Sequence, residues 1–161
     1  MEAKLTYAFK QAAGLGIIAG MRSFSAPAVI SHVYSRHPSK NLGYTPLQFI
    51  QSITTSKVFK VLAAAELVGD KLPYAPNRTS PGGLAGRFLS GALCGATVYK
   101  ASNRNLFIGG LIGGTSAIAS AFGCMLLRTG LGKRTGIPDP VIGVIEDIIV
   151  ITAGTALAKD L

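Results

Sequence analysis

The stretch from Asn105 to Leu127, NLFIGGLIGGTSAIASAFGCMLL, runs for 23 residues without a charge between Arg104 and Arg128. A bilayer core is spanned by about 20 apolar residues in helical form, so this stretch predicts a crossing helix over about 105–130. The composition of the whole chain points the same way. Of 161 residues, 48% are hydrophobic and 14% charged, where soluble domains carry roughly 25% charged residues, and the mean hydropathy is +0.42. Sixteen Lys+Arg and seven Asp+Glu are too few to cover a small globule with its large surface fraction. That argues against a soluble enzyme. The abundance of apolar residues excludes disorder, the 20 glycines have no triplet period, and two cysteines make no disulfide framework. The net charge of +9 does not call for nucleic acid, because the basic residues stand singly at the edges of apolar runs, as beside phosphate headgroups.

Outward from this stretch, four further helices are expected. Pro140 to Ala158 ends before Lys159 and carries Glu146 and Asp147 near its middle, giving a helix over about 139–159. Gln11 to Ser35 is interrupted by Arg22, with Pro27 close behind, and gives one over about 9–35. Pro81 to Tyr99 gives one over about 81–101, whose Arg87 is expected to snorkel to the interface. Lys57 to Val68 reads as a shorter, broken helix over about 55–70, ended by GDKLP. The expectation is an all-α polytopic protein, a single transmembrane domain over 1–161 with about five helices. Residues 44–54, amphipathic from Pro46, are expected to lie in the interface, and KLPYAPNRTSPGG from Lys71 to Gly83 reads as a stiff loop.

Glycines four apart remove side chains from one helix face and let backbones approach. Gly16 and Gly20, Gly91 and Gly95, and Gly110 and Gly114 are the expected packing positions. Close packing within one chain is the first use of such faces; the seam of a homodimer is the second. The glycines of the first helix precede Met21-Arg22-Ser23 and Pro27, so that helix is expected to unwind where its arginine sits.

An unpaired charge at mid-bilayer costs about 2.5 to 3.5 kcal/mol or more, so Arg22, Glu66, Glu146 and Asp147 must face partners or water. Arg22 is expected to pair with Glu146 or Glu66, since its fork of donors suits a carboxylate. Glu146 and Asp147 diverge by about 100° on a helix, so one partner does not serve both. These four residues, with Asp70 and Arg78 in the loop, are the candidate pathway for a solute or ion. Lys71 and Arg78 with Thr79 and Ser80 suit a phosphate headgroup. His32 and His37 lack a Cys or carboxylate at metal-ligand spacing, and no Walker loop or nucleophile elbow is present. No metal, cofactor or catalytic set is therefore expected.

Two pairs, an arginine-bearing Gly-rich helix followed by a carboxylate-bearing one, suggest inverted two-helix repeats around a central helix. Basic residues divide eight to seven between the two faces of a five-helix topology, which sets no orientation.

Gly20-Met21-Arg22-Ser23, Glu66-Leu67-Val68-Gly69-Asp70-Lys71-Leu72-Pro73, Pro76-Asn77-Arg78-Thr79, Gly86-Arg87 and Glu146-Asp147 together resemble the small bacterial membrane proteins grouped as domain of unknown function 4126. The resemblance covers nearly the whole chain and implies a multi-pass location in the bacterial inner membrane, without an activity. From the residues, the expected function is a small transporter, flippase or channel-like protein for an anionic or phosphate-bearing solute, with proton-linked carboxylates. The alternative is a structural or assembly protein whose buried charges lock its helices. The expected partners are the lipid bilayer, a small anionic solute or lipid headgroup, and a second copy of the chain.

Overall fold

The computed structural model describes residues 2–69, 80–135 and 139–161. Among them the chain is all-helical: α1 (Glu2–Met21), α2 (Ser25–Arg36), two 3-10 turns (Lys40–Leu42 and Pro46–Gln51), α3 (Ile53–Gly69), α4 (Pro81–Ala101), α5 (Leu106–Thr135) and α6 (Asp139–Asp160). Asp70 and Arg78 of the expected pathway lie outside the described residues, as does most of the loop that carries them.

The expected first helix over 9–35 is two helices that turn back on each other. Tyr7 near the start of α1 and Asn41 just beyond α2 line one cavity. Asn41 donates to the Ala101 carbonyl at the end of α4. Tyr7 in turn donates to the Asp160 carbonyl at the end of α6. Midway, Ile18 of α1 and Val29 of α2 both flank Gly154 of α6. Successive helices then alternate in direction, and both termini lie at the same end of the bundle.

The reason for the reversal is Pro27. In a continuous helix the amide of residue 27 would bond the carbonyl of Ser23, and proline has no N–H and a ring that clashes there. Within the first turn of a new helix the same proline is tolerated, because those amides have no intrahelical partner. α1 therefore closes with the Arg22 amide on the Ile18 carbonyl, and α2 begins three residues later.

Three helices form the tight part of the bundle. Gly91 and Gly95 of α4 meet Gly113 and Gly109 of α5 in antiparallel order, so closely that a Cβ on any of them would fall on the facing backbone. α1 seats Gly16 on Gly113 and Ser116, and Gly20 on Ala117 and Ser120, in parallel order along α5. Gly110 faces α4 more loosely, against Ala92 and Ala96, while Gly114 lies tight against the Phe88 ring. Gly113 thus serves both neighbours at once. The α4–α5 turn is closed by Asn103 at φ 57°, a left-handed position that asparagine tolerates, with the Arg104 amide on the Tyr99 carbonyl.

These directions exclude the inverted repeat. Its equivalent helices α1 and α5 would run oppositely, and they run parallel. Three smaller expectations also change. α3 is one continuous helix. Leu42 and Ile50 of the connecting segment are fully buried in the core, while Tyr44 is fully exposed. Arg87 is buried with a partner rather than reaching outward, because α4 turns its side toward the bundle there.

Two helices are long and apolar enough to cross a membrane, Leu106–Gly130 in α5 and Val141–Asp160 in α6. Only 22% of the most apolar window of either is buried, and Leu111, Leu126, Ile148 and Ile151 are all more than half exposed.

Candidate functional site

The site is built where α1 ends. Arg22 is the largest fully buried side chain among the described residues, 1% exposed. It reaches α6, where its Nε donates to Asp147 Oδ1 at 2.8 Å and its terminal nitrogen lies 2.5 Å from the same oxygen. The expected pairing with Glu146 or Glu66 is corrected accordingly: the carboxylate that meets this fork is Asp147. The reversal at residues 22–24 decides this, because it aims the Arg22 side chain toward α6 and turns the following backbone toward α3.

Glu66 does something different from ion pairing. Its Oε1 accepts from the Ser23 amide and its Oε2 from the Phe24 amide, each at 2.8 Å. These amides open α2, a helix with no side-chain cap of its own. A carboxylate is the favoured group at such an end, where unsatisfied N–H groups and the helix dipole combine. The Ser23 carbonyl, which Pro27 leaves without its helical donor, accepts from the Ser90 hydroxyl of α4. Every part of the break is thus held from a different helix: the side chain from α6, the amides from α3 and the carbonyl from α4.

A second pair lies beside it. Arg128 of α5 grips Glu146 through two bonds, Nε to Oε1 at 3.2 Å and a terminal nitrogen to Oε2 at 2.6 Å. Arg128 is 17% exposed and Glu146 8%. Adjacent acids on α6 therefore meet arginines from two different helices, as their angular divergence requires. Among the described residues, no buried side-chain nitrogen or oxygen lacks a hydrogen-bond partner, and no group of acids, histidines and cysteines is arranged to hold a metal.

The depth of the break matters more than its chemistry alone. Gly20, two residues before Arg22, packs on Ala117 and Ser120, which lie near the middle of the Leu106–Gly130 segment. The hairpin of α1 and α2 therefore turns near the midpoint of the longest apolar helix. A cavity of about 430 Å³ adjoins the turn, lined by Ser23, Phe24 and Pro27 on one side and by Gly82, Gly83, Gly86 and Ser90 of α4 on the other.

Sequence reasoning missed Ser90 and the capping use of Glu66. Pro27 was the available signal: a proline at a helical position marks a carbonyl, here that of Ser23, in need of another donor. Which hydroxyl supplies it is a matter of packing.

A family model described as Domain of unknown function (DUF4126) matches residues 10–159. No curated protein and no solved structure matches the chain.

Proposed function

The chain belongs to this DUF4126 family, and we propose that it is a multi-pass protein of the bacterial inner membrane that moves a small anionic or phosphate-bearing solute, with the α1–α2 hairpin entering the membrane and turning inside it. The observation that carries this reading is the buried helix break at Arg22–Phe24, level with the middle of α5. Irregular backbone at membrane depth is tolerated only where protein covers it or where it lines a cavity. Half-helix ends at that depth are how many transporters seat charged solutes. The exposed apolar faces of α5 and α6 support the lipid setting.

In this reading Glu66, Glu146 and Asp147 are the proton-linked groups, and Glu66 occupies the positive end of α2, the position an anion would take. Arg22, buried and fixed by Asp147, stands behind that helix end. Arg128 with Glu146, and Asp70 and Arg78 of the α3–α4 connection, complete the pathway.

The end that holds both termini carries Lys4, Lys10, Arg36, Lys40, Lys57, Lys60, Lys100, Arg104 and Lys159, and the half toward the other end carries Arg87, Arg128, Lys133 and Arg134 among the described residues. That excess of basic residues supports a cytoplasmic side for the termini in this reading.

The satisfaction of every buried side-chain polar atom among the described residues favours the second reading, a structural protein whose charges lock helix register. Proteoliposomes loaded with a pH-sensitive dye separate the two. Solute-driven proton flux in the wild type, lost in Glu66→Gln and in Asp147→Asn while both remain folded, supports transport. No flux with any phosphate or carboxylate solute, together with lowered melting temperatures in both variants, leaves the structural reading.

A further inference from the structure

A groove of about 350 Å³ runs between α2, α3 and α6, outside the helix break. Its walls are apolar, with Val29 of α2, Ala64 and Leu67 of α3, and Val150 and Ile151 of α6. From Ser25 to His32 it follows α2 for about 10 Å. The chemistry of its two ends differs. At one end it meets the start of α2, next to Glu66. At the other, the Lys60 ammonium donates to His32 Nδ1 at 2.7 Å. A lysine ammonium has only donors, so this ring nitrogen accepts and the imidazole is neutral.

That end is basic from every wall. α2 places Arg36 one turn beyond His32, close enough for its charge to act on the ring. α3 contributes Lys57 one turn before Lys60, and α6 brings Lys159, next to the groove residue Ala158 and ahead of its last residue, Asp160. Lys57, Lys60, Arg36 and Lys159 are all exposed. An apolar trench with a cationic mouth at the edge of the bundle matches one ligand in shape and in charge.

We propose that this groove is a binding site for an anionic phospholipid, with an acyl chain lying along α2 and α3 and the phosphate at Lys60. The proposal rests on the membrane setting argued above but not on transport. Charge complementarity selects the lipid: a zwitterionic headgroup brings its own cation to a mouth lined by Lys60 with Arg36, Lys57 and Lys159 on the adjoining surface, whereas a phosphatidylglycerol headgroup brings only the phosphate. The His32 contact positions the ammonium by fixing the lysine chain against α2. The apolar walls select a lipid over free phosphate, for which they offer no partner.

The test is native mass spectrometry of the full chain in neutral detergent, titrated with phosphatidylglycerol and with phosphatidylcholine of the same acyl chains. Wild type is expected to retain phosphatidylglycerol in clear preference. Lys60→Gln, at an exposed position, is expected to lower that affinity about fivefold, the effect of one lysine at an anionic surface, and to leave phosphatidylcholine unchanged. Ala64→Trp, which fills the trench, is expected to lower retention of both. Equal retention of the two lipids by wild type overturns the proposal, as does a preference that survives both substitutions. Displacement of the lipid by glycerol 3-phosphate at equal concentration also overturns it, since the trench then contributes nothing. Release of the protein from membranes without detergent marks the separate failure of the membrane reading.

Discussion

Two sides of the bundle are assembled by opposite means. α1, α4 and α5 meet backbone to backbone through Gly16, Gly20, Gly91, Gly95, Gly109 and Gly113, with no room for a Cβ between them. α2, α3 and α6 meet through side chains, hold Glu66, Glu146 and Asp147 between them and their neighbours, and leave a groove. The glycine side gains dispersion contacts by close approach, which needs no directional partner. The polar side depends on a few charge-assisted bonds, each of which fails if one partner is lost.

The largest expected effect tests the polar side. Asp147→Ala leaves Arg22 buried without its carboxylate, and removing one partner of a buried pair destabilises by about 3–5 kcal/mol; thermal unfolding in detergent reads it. If Arg22→Met combined with Asp147→Leu recovers most of that loss, the pair fixes register and contributes little net stability. On the glycine side, Gly113→Leu forces α4 and α5 apart and is expected to destabilise by about 1–3 kcal/mol or more. Gly123→Leu on the same helix, where a Cβ meets nothing within 4 Å, is the control and is expected to cost nothing, gaining up to about 0.5–1 kcal/mol of helix propensity. Equal effects at the two positions would dissolve the contrast between the sides.

Smaller changes sharpen it. Glu66→Gln keeps one acceptor for the α2 amides and loses the charge, for an expected loss of about 0.5–2 kcal/mol, and hydrogen exchange at Ser23 and Phe24 is expected to accelerate. Ser90→Ala removes the donor to the Ser23 carbonyl and is expected to lower stability by about 1 kcal/mol. Smallest, and of opposite sign, is Gly86→Ala. Its Cβ enters open space in a helix interior, where alanine is favoured over glycine by about 0.5–1 kcal/mol.

How much of this was legible in sequence differs element by element. The uncharged run to Leu127 marks α5, and Ser80-Pro81 marks the start of α4, where the Ser80 hydroxyl accepts from the Gly83 amide as an N-cap followed by proline should. The unwinding at Arg22 is legible too, from the coincidence of an arginine, glycines and Pro27. Its direction is not. A proline tells where hydrogen bonding is interrupted, but the angle at which the chain leaves depends on what receives it, here Gly154 against Val29. For the same reason the repeat and the even charge division, both drawn on a straight first helix, dissolve once α2 returns alongside α1.

Residue types and their spacing alone determined that this chain is helical, apolar, glycine-packed and furnished with an arginine and three carboxylates that need partners, because hydrophobicity, helix breaking and desolvation cost are properties of short stretches. Which carboxylate meets Arg22, which one caps α2, and which end of the bundle collects the basic residues were decided only by the tertiary structure. Those outcomes hinge on a single reversal at Ser23–Phe24, and partners 42 to 125 residues apart are chosen by the packing that the reversal permits.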